Sequence, residues 1–241
     1  MSTQPEITLH TYFRSSCSAR IRIALHLKGL KYTPVYIHLL KGEQSSEPYT
    51  SLNPSCTVPT ITFSSSNREE PVVSFVLTQS MAILEYLDEK FPAPDYTPLL
   101  PSGYEDKARV RQLYNIIACD MQPLMNLDTL KQVKKIAEDS RKEVDATARE
   151  WQQRICKRGF GAYETLVSKT AGKYSFGDTI TMADVCLAPA VDSALRFGVD
   201  MSKFETTERV WRALEEVEAF KKGGWRAQGD TPEELRAPAG N

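Results

Sequence analysis

Two hydroxyls, a thiol and a guanidinium stand within six residues of one another: Ser15, Ser16, Cys17 and Arg20. An alternating apolar run, 7–13, precedes them and reads as a strand. Behind them Cys17, Ile21, Ala24 and Leu25 recur at helical spacing, so a helix opens at the serines. The first N–H groups of a helix have no partner within it, and its dipole favours negative charge there. A strand-to-helix junction of this composition suits an anion, including a thiolate. Arg20 follows Ser16 by four residues and adds positive charge on the same side. Taken singly the residues have plainer uses, a serine as helix cap and a cysteine as core filler.

The elements that must hold this junction follow in order. Lys28-Gly29-Leu30 reads as a helix stop. Residues 32–40 read as a second strand, parallel to the first, with Pro34 favouring an edge. The polar stretch 41–51 reads as a loop or irregular helix. Thr57-Val58-Pro59-Thr60 leads into a third strand, and 72–77 form a fourth after a polar loop, 64–71. Gln79-Ser80 opens a helix with Ile83, Leu84, Leu87 and Phe91 on one face, a second junction suited to an anion. Residues 1–91 therefore read as an α/β domain and the proline-rich 92–103 as a linker.

From 104 to 241 the periodicity is helical, giving an all-α second domain. Val110, Leu113, Tyr114, Ile117 and Met121 share a face, and Gln122-Pro123 breaks or bends that helix. A long helix spans 144–170, with Trp151, Ile155, Ala162, Tyr163, Leu166 and Val167 at core spacing. Thr181-Met182-Ala183-Asp184 is a capping box with a staple from Ile180 to Val185, Pro189 kinks the helix it starts, and a last helix spans 206–220 before a polar tail.

Composition narrows the function. The 241 residues carry 30 basic and 31 acidic side chains, so nothing in the charge balance points to nucleic acid or an acidic membrane. No apolar run reaches the roughly 20 residues of a membrane helix, and the first residues lack the pattern of a signal peptide. The five cysteines are scattered, with no C-x-x-C pair, and the three histidines do not cluster. Neither a metal site nor a disulfide framework is expected, and a cytoplasmic location is the default.

The string Ser15-Ser16-Cys17-x-x-Arg20 after a short strand resembles the signature of zeta-class glutathione transferases. Further strings of that class recur in order: Arg-Ile-Arg-Ile-Ala-Leu, Leu-Asn-Pro, Gln-Pro-Leu-x-Asn-Leu, Gly-Asp-x-Ile-Thr-Met-Ala-Asp and Asp-Thr-Pro-x-Glu-Leu-Arg-Ala. The resemblance spans nearly the whole chain. It implies a thioredoxin-like N-terminal domain with a cis proline at Pro59, an all-helical C-terminal domain and a homodimer. It implies glutathione as the borrowed nucleophile and a small molecule as substrate, with no metal. The activity implied is the cis–trans isomerisation of maleylacetoacetate to fumarylacetoacetate in tyrosine and phenylalanine breakdown. Its alternative is conjugation or dehalogenation of small electrophiles such as α-halo acids, and a non-catalytic module is a third reading.

The site residues carried over are these. Ser15 is the first choice to hold the thiolate, with Ser16 and Cys17 second. Ser18, Ala19, Arg20, Gln44, Val58, Pro59, Gln79, Ser80, Gln122, Asn126, Leu127 and Asp128 are the remaining glutathione contacts. Arg20 and Arg196 are candidates for the substrate's carboxylates, because a guanidinium meets a carboxylate bidentately; a surface ion pair is the plainer use of Arg196. Ala19 stands where relatives carry a bulky aromatic, Thr57 where a Gln is common, and the 64–71 loop is long, so substrate preference stays open.

Overall fold

A computed structural model describes residues 5–65 and 72–236. The chain divides into two compact units, Met1–Pro98 with Glu218–Asn241, and Leu99–Val217. Residues 218–236, expected in the helical domain, group with the first unit.

In the first unit a four-stranded sheet has the order β2-β1-β3-β4, with β1 at Glu6–Thr11, β2 at Thr33–Tyr36, β3 at Thr60–Ser65 and β4 at Val72–Thr78. β2 runs parallel to β1, while β1–β3 and β3–β4 are antiparallel. Between β1 and β2 lies α1, Ser16–Leu27; between β2 and β3 lies α2, Tyr49–Leu52; after β4 comes α3, Ser80–Lys90. This is the α/β arrangement the resemblance implied. Pro34 sits on the edge strand, where its missing donor costs nothing. Ile21, Ala24 and Leu25 on α1 and Ile83, Leu84 and Leu87 on α3 are fully buried, so both apolar stripes face the core.

Two strands are shorter than their sequence pattern. β1 stops at Thr11 because Tyr12 turns its carbonyl to the Ser15 N–H, 3.0 Å away. β2 ends at Tyr36, short of the predicted 40, because His38 caps a 3₁₀ turn at Leu39–Lys41 and its own N–H donates to Glu43 Oε2 at 2.6 Å. The long loop read at 64–71 lies, from residue 66 on, outside the described residues. Val58–Pro59 is a cis peptide.

The first unit is completed by α10, Glu218–Gly223, which packs against α1. The approach is so close that a Cβ on Gly223 would lie 2.7 Å from the Ile23 backbone nitrogen, which only glycine avoids. Buried Arg22 donates through Nε to Gly223 O at 2.9 Å and so fastens the segment.

The second unit holds α4, Tyr104–Asn115; a π-helical stretch, Ile116–Met121; α5, Gln122–Met125; α6, Leu127–Asp139; α7, Val144–Val167; α8, Met182–Arg196; and α9, Glu205–Glu215. The break expected at Gln122-Pro123 is made by the π stretch before it and by Asn126 after it, whose Oδ1 accepts the Thr129 N–H at 2.8 Å to start α6. Met121 packs where α7 carries Gly159, and a side chain there would collide with the Met121 thioether. α7 buries Ile155, Phe160, Tyr163 and Val167, but Ala162, read as core, is exposed.

The capping box forms: Asp184 Oδ2 accepts the Thr181 N–H at 2.8 Å and Oδ1 that of Ser175 at 2.8 Å. Burial raises the Asp184 carboxyl, opposed by those hydrogen bonds. α8 runs unbroken through Pro189, and Ser193 Oγ donates to the Pro189 carbonyl. The single helix read at 206–220 is two helices, α9 and α10, in different units.

Candidate functional site

The turn between β1 and α1 is built as a helix start. Ser15 is the N-cap, in extended conformation, and its Oγ accepts the Ser18 N–H at 3.1 Å. A serine hydroxyl has one hydrogen and two lone pairs. Capping uses a lone pair and leaves the hydrogen free to donate, so cap and anion donor are compatible roles for one atom. The N–H groups of Ser16 and Cys17 make no hydrogen bond to another described residue. Ser15, Ser16 and Cys17 are half-buried, while Ser18 and Ala19 are buried. Ser18 Oγ is enclosed with no hydrogen-bond partner. A hydroxyl donor and two first-turn amides thus converge at the positive end of a twelve-residue helix.

Beside it, α3 starts at a second such place. Gln79 is its N-cap at φ 68°, a left-handed conformation that costs a non-glycine residue about 1–3 kcal/mol. Its side chain makes no cap bond and is exposed. Ser80 is buried, and its Oγ accepts from Arg20 Nη1 at 3.0 Å. Arg20 is therefore turned inward, 2 % exposed. It joins the start of α1 to the start of α3 and holds positive charge beneath Ser80.

Val58 and Gln44 reach the same unit on loops. Asn53, fully buried, donates to Thr57 O at 2.7 Å and Thr60 Oγ1 at 3.1 Å, and the Tyr49 hydroxyl meets Thr60 Oγ1 at 2.8 Å. These bonds fix the backbone on both sides of Val58-Pro59. It is the Thr57 carbonyl, more than its side chain, that the fold uses. Neither the N–H nor the C=O of Val58 is taken by another described residue. Gln44 lies in a 3₁₀ turn, and its Oε1 is buried without a hydrogen-bond partner. Such an acceptor is open to a donor from water or from a bound molecule.

Gln122, Asn126, Leu127, Asp128 and Arg196 belong to the second unit. Asn126 spends its side-chain oxygen on capping α6, Leu127 and exposed Asp128 open that helix, and Gln122 opens α5. Arg196 ends α8, exposed, with its guanidinium 4.9 Å over the Phe197 ring centroid.

Two residues beneath the turn escaped the sequence reading. Arg22 is fully buried; it donates to Thr11 Oγ1 at 2.8 Å, Tyr12 O at 3.3 Å and Phe13 O at 3.3 Å. Burial lowers its pKa to about 10, with Tyr32 and Asp230 nearby opposing the fall. Asp230 Oδ2 accepts the Phe13 N–H at 2.9 Å. Burial raises the Asp230 carboxyl, opposed by that N–H, Arg22 and His38. Arg22 stands between isoleucines in the string Arg-Ile-Arg-Ile-Ala-Leu and Asp230 opens the string Asp-Thr-Pro-x-Glu-Leu-Arg-Ala, but neither string assigns them a role.

The family model for the glutathione S-transferase N-terminal domain matches residues 14–90, and that for the C-terminal domain matches 127–222. The chain is 51% identical over 236 residues to a maleylacetoacetate isomerase of Aspergillus fumigatus, covering 98% of this chain and 97% of that one. It is 43% identical over 230 residues to the maleylacetoacetate isomerase of Rattus norvegicus, covering 95% and 96%. Among solved structures, a bacterial maleyl pyruvate isomerase described as a zeta-class glutathione S-transferase superposes with TM-score 0.83 at 36% identity, over 93% of this chain and 100% of that one. A maleylacetoacetate isomerase from Anaeromyxobacter dehalogenans, with glutathione bound in its active site, superposes with TM-score 0.81 at 35% identity, over 95% and 100%.

Proposed function

Because the chain belongs to the glutathione S-transferase family, in its zeta class, we propose that it is a glutathione-dependent isomerase converting maleylacetoacetate to fumarylacetoacetate. The observation that carries this reading is the Ser15 hydroxyl, which caps α1 with its oxygen and keeps its hydrogen, beside the unused N–H groups of Ser16 and Cys17. Glutathione, when bound, supplies the sulfur nucleophile whose reversible addition to a conjugated cis double bond lets that bond re-form trans.

The chain's own residues do the rest. The Ser15 hydroxyl and the two amides stabilise a sulfur anion; a plain thiol titrates near pH 8.5, so only a modest lowering populates the anion at neutral pH. Gln79 and the first amides of α3 receive a carboxylate, with the Arg20 charge beneath them. The Val58 N–H and C=O pair with a peptide backbone as a short added strand, and Gln44 Oε1 accepts a donor from it. Ser18 lies against the same helix turn. Gln122, Asn126, Leu127 and Asp128 add contacts by family resemblance alone. Arg20 and Arg196 are the guanidinium candidates for a substrate carboxylate.

Conjugation of small electrophiles uses the same anion site and differs in leaving its S–C bond in place. Side-by-side assays separate the two: maleylacetone should isomerise far faster than a chloro-aromatic is conjugated. Conjugation without isomerisation would sink the isomerase reading.

The same proposal includes tyrosine and phenylalanine breakdown as the setting, a cytoplasmic location and a homodimer. Among the described residues no helix is long and apolar enough to cross a membrane. Support for the dimer is the family resemblance. Light scattering at micromolar concentration should give twice the chain mass; a monomer mass would refute the dimer.

A further inference from the structure

We propose that Asp230 is a positioning residue for the thiolate site, acting with Arg22 as a two-sided clamp on the backbone of Phe13. The inference rests on the reading of Ser15 as the anion's hydroxyl donor and adds what holds that hydroxyl in place.

The residues between β1 and α1 have no ladder to hold them. β1 ends at Thr11, and the N-cap is Ser15. Tyr12 and Phe13 are buried, 5 % and 4 % exposed, so their peptide groups need partners inside the protein. The partners come from two directions. Arg22, one and a half turns into α1, takes the carbonyls of Tyr12 and Phe13, each at 3.3 Å. Asp230, 217 positions along the chain, takes the Phe13 N–H at 2.9 Å. The Tyr12–Phe13 peptide is thus held by opposite charges, Arg22 on its carbonyl and Asp230 on its N–H, and the Phe13–Arg14 peptide by Arg22, two residues before Ser15. The orientation of the Ser15 N–H, which donates to Tyr12 O at 3.0 Å, is set by the same carbonyl that Arg22 holds.

The segment that presents Asp230 is built to do so. Gln228 Nε2 donates to Lys222 O at 2.9 Å and Gly224 O at 2.6 Å; Arg236 donates to Thr231 O at 2.9 Å and Gly229 O at 3.1 Å. The Gly229 N–H donates to the Tyr36 hydroxyl at 3.1 Å, and a Cβ on Gly229 would lie 2.6 Å from that oxygen. Trp225 and Leu235 pack on a cluster made of Tyr12, Phe13, Ile37, Tyr49 and Val58. That cluster underlies the turn to Ser15, the loop toward Gln44 and the loop carrying Val58. The C-terminal segment therefore forms part of the floor on which three pieces of the site rest, and Asp230 is its one charged contact to the turn's backbone among the described residues.

The test compares Asp230→Ala, Asp230→Glu and Asp230→Asn with Ser15→Ala, reading kcat, KM for glutathione, the pKa of bound glutathione by ultraviolet thiolate absorbance, Tm, and hydrogen exchange at the Phe13 amide. Asp230→Ala removes the acceptor. Its kcat at neutral pH should fall about tenfold, with KM for glutathione changed less than about threefold, because binding contacts lie elsewhere. The bound thiol's pKa should rise, and Phe13 should exchange faster even without glutathione. Asp230→Asn keeps an acceptor at the same distance and should recover most of kcat. Asp230→Glu keeps the charge but moves the acceptor by a methylene, so it should resemble the alanine variant; it is read in place of alanine if that variant does not fold. Arg22, His38, Arg236, Tyr32 and Tyr36 are charged or titratable groups around Asp230 and its partner Arg22, so each pH series is compared with the unchanged protein over the same range. A purely structural role would lower Tm alone, leaving kcat per folded molecule and the thiol pKa as they were. If Ser15→Ala raises the thiol pKa while the alanine and glutamate variants of Asp230 do not, the clamp is refuted. If Ser15→Ala also changes nothing, the site reading itself has failed.

Discussion

Replacing Ser15 by alanine is expected to lower turnover about 10- to 150-fold at neutral pH. The substitution removes one hydrogen bond to a charged acceptor, worth roughly 1.5–3 kcal/mol, and the rate follows if the whole loss falls on the chemical step. The pKa of bound glutathione should rise, since the anion loses a donor, and part of the lost rate should return as pH is raised. The helix cap is lost as well, because Ser15 Oγ accepts the Ser18 N–H. That loss costs about 1 kcal/mol of stability and appears in Tm rather than in the thiol pKa. Cys17→Ala should cost less activity, as the reaction uses glutathione's sulfur and the Cys17 N–H survives the change. If Cys17→Ala abolishes turnover while Ser15→Ala retains it, the assignment is reversed and the turn is a thiol-exchange centre.

The largest stability effect is expected at Lys28. Its side chain is fully buried, and its three ammonium hydrogens meet three acceptors: Asp88 Oδ1 at 2.9 Å, Phe91 O at 3.0 Å and Thr97 O at 2.9 Å. One side chain thereby ties the end of α1 to the end of α3 and to the proline-rich stretch after it. Lys28→Met keeps the volume and removes the charge. It leaves two carbonyls without that donor and Asp88 without its cation, and removing one partner of a buried pair typically costs about 3–5 kcal/mol. That is a large share of the roughly 5–15 kcal/mol of a whole domain. Denaturant unfolding should show a lower midpoint at unchanged slope. Adding Asp88→Leu should recover part of the loss, because apolar packing replaces a broken pair better than a lone carboxylate does. Equal midpoints for Lys28→Met and the unchanged protein would show that the buried pair contributes nothing net.

The sequence disclosed what is local. The Ser15 cap, the paired junctions at Ser15–Cys17 and Gln79–Ser80, and the Thr181–Asp184 capping box are each read within one helical turn, and all formed. The apolar stripes of α1, α3 and α7 follow from spacing, but on α7 Trp151 and Leu166 are half-buried and Ala162, a small residue on the stripe's border, faces out. What stayed hidden depends on distant partners or on backbone detail. β2 looked nine residues long, because periodicity does not reveal that His38 and Glu43 close a 3₁₀ turn. The left-handed Gln79 and the π stretch at Ile116–Met121 have no compositional mark. Arg20 read as positive charge beside the serines, and only the fold shows it donating to Ser80. Residues 221–236 read as a polar tail because the apolar cluster they complete lies some two hundred positions earlier.

The central claim is that glutathione is borrowed and returned. It is tested most directly by following maleylacetone with purified protein, with and without glutathione, while measuring both the trans product and the remaining free thiol. The expected result is no isomerisation without glutathione, many turnovers with a catalytic amount of it, and no net consumption of thiol. Isomerisation in its absence, or loss of one thiol for each substrate consumed, would contradict the account.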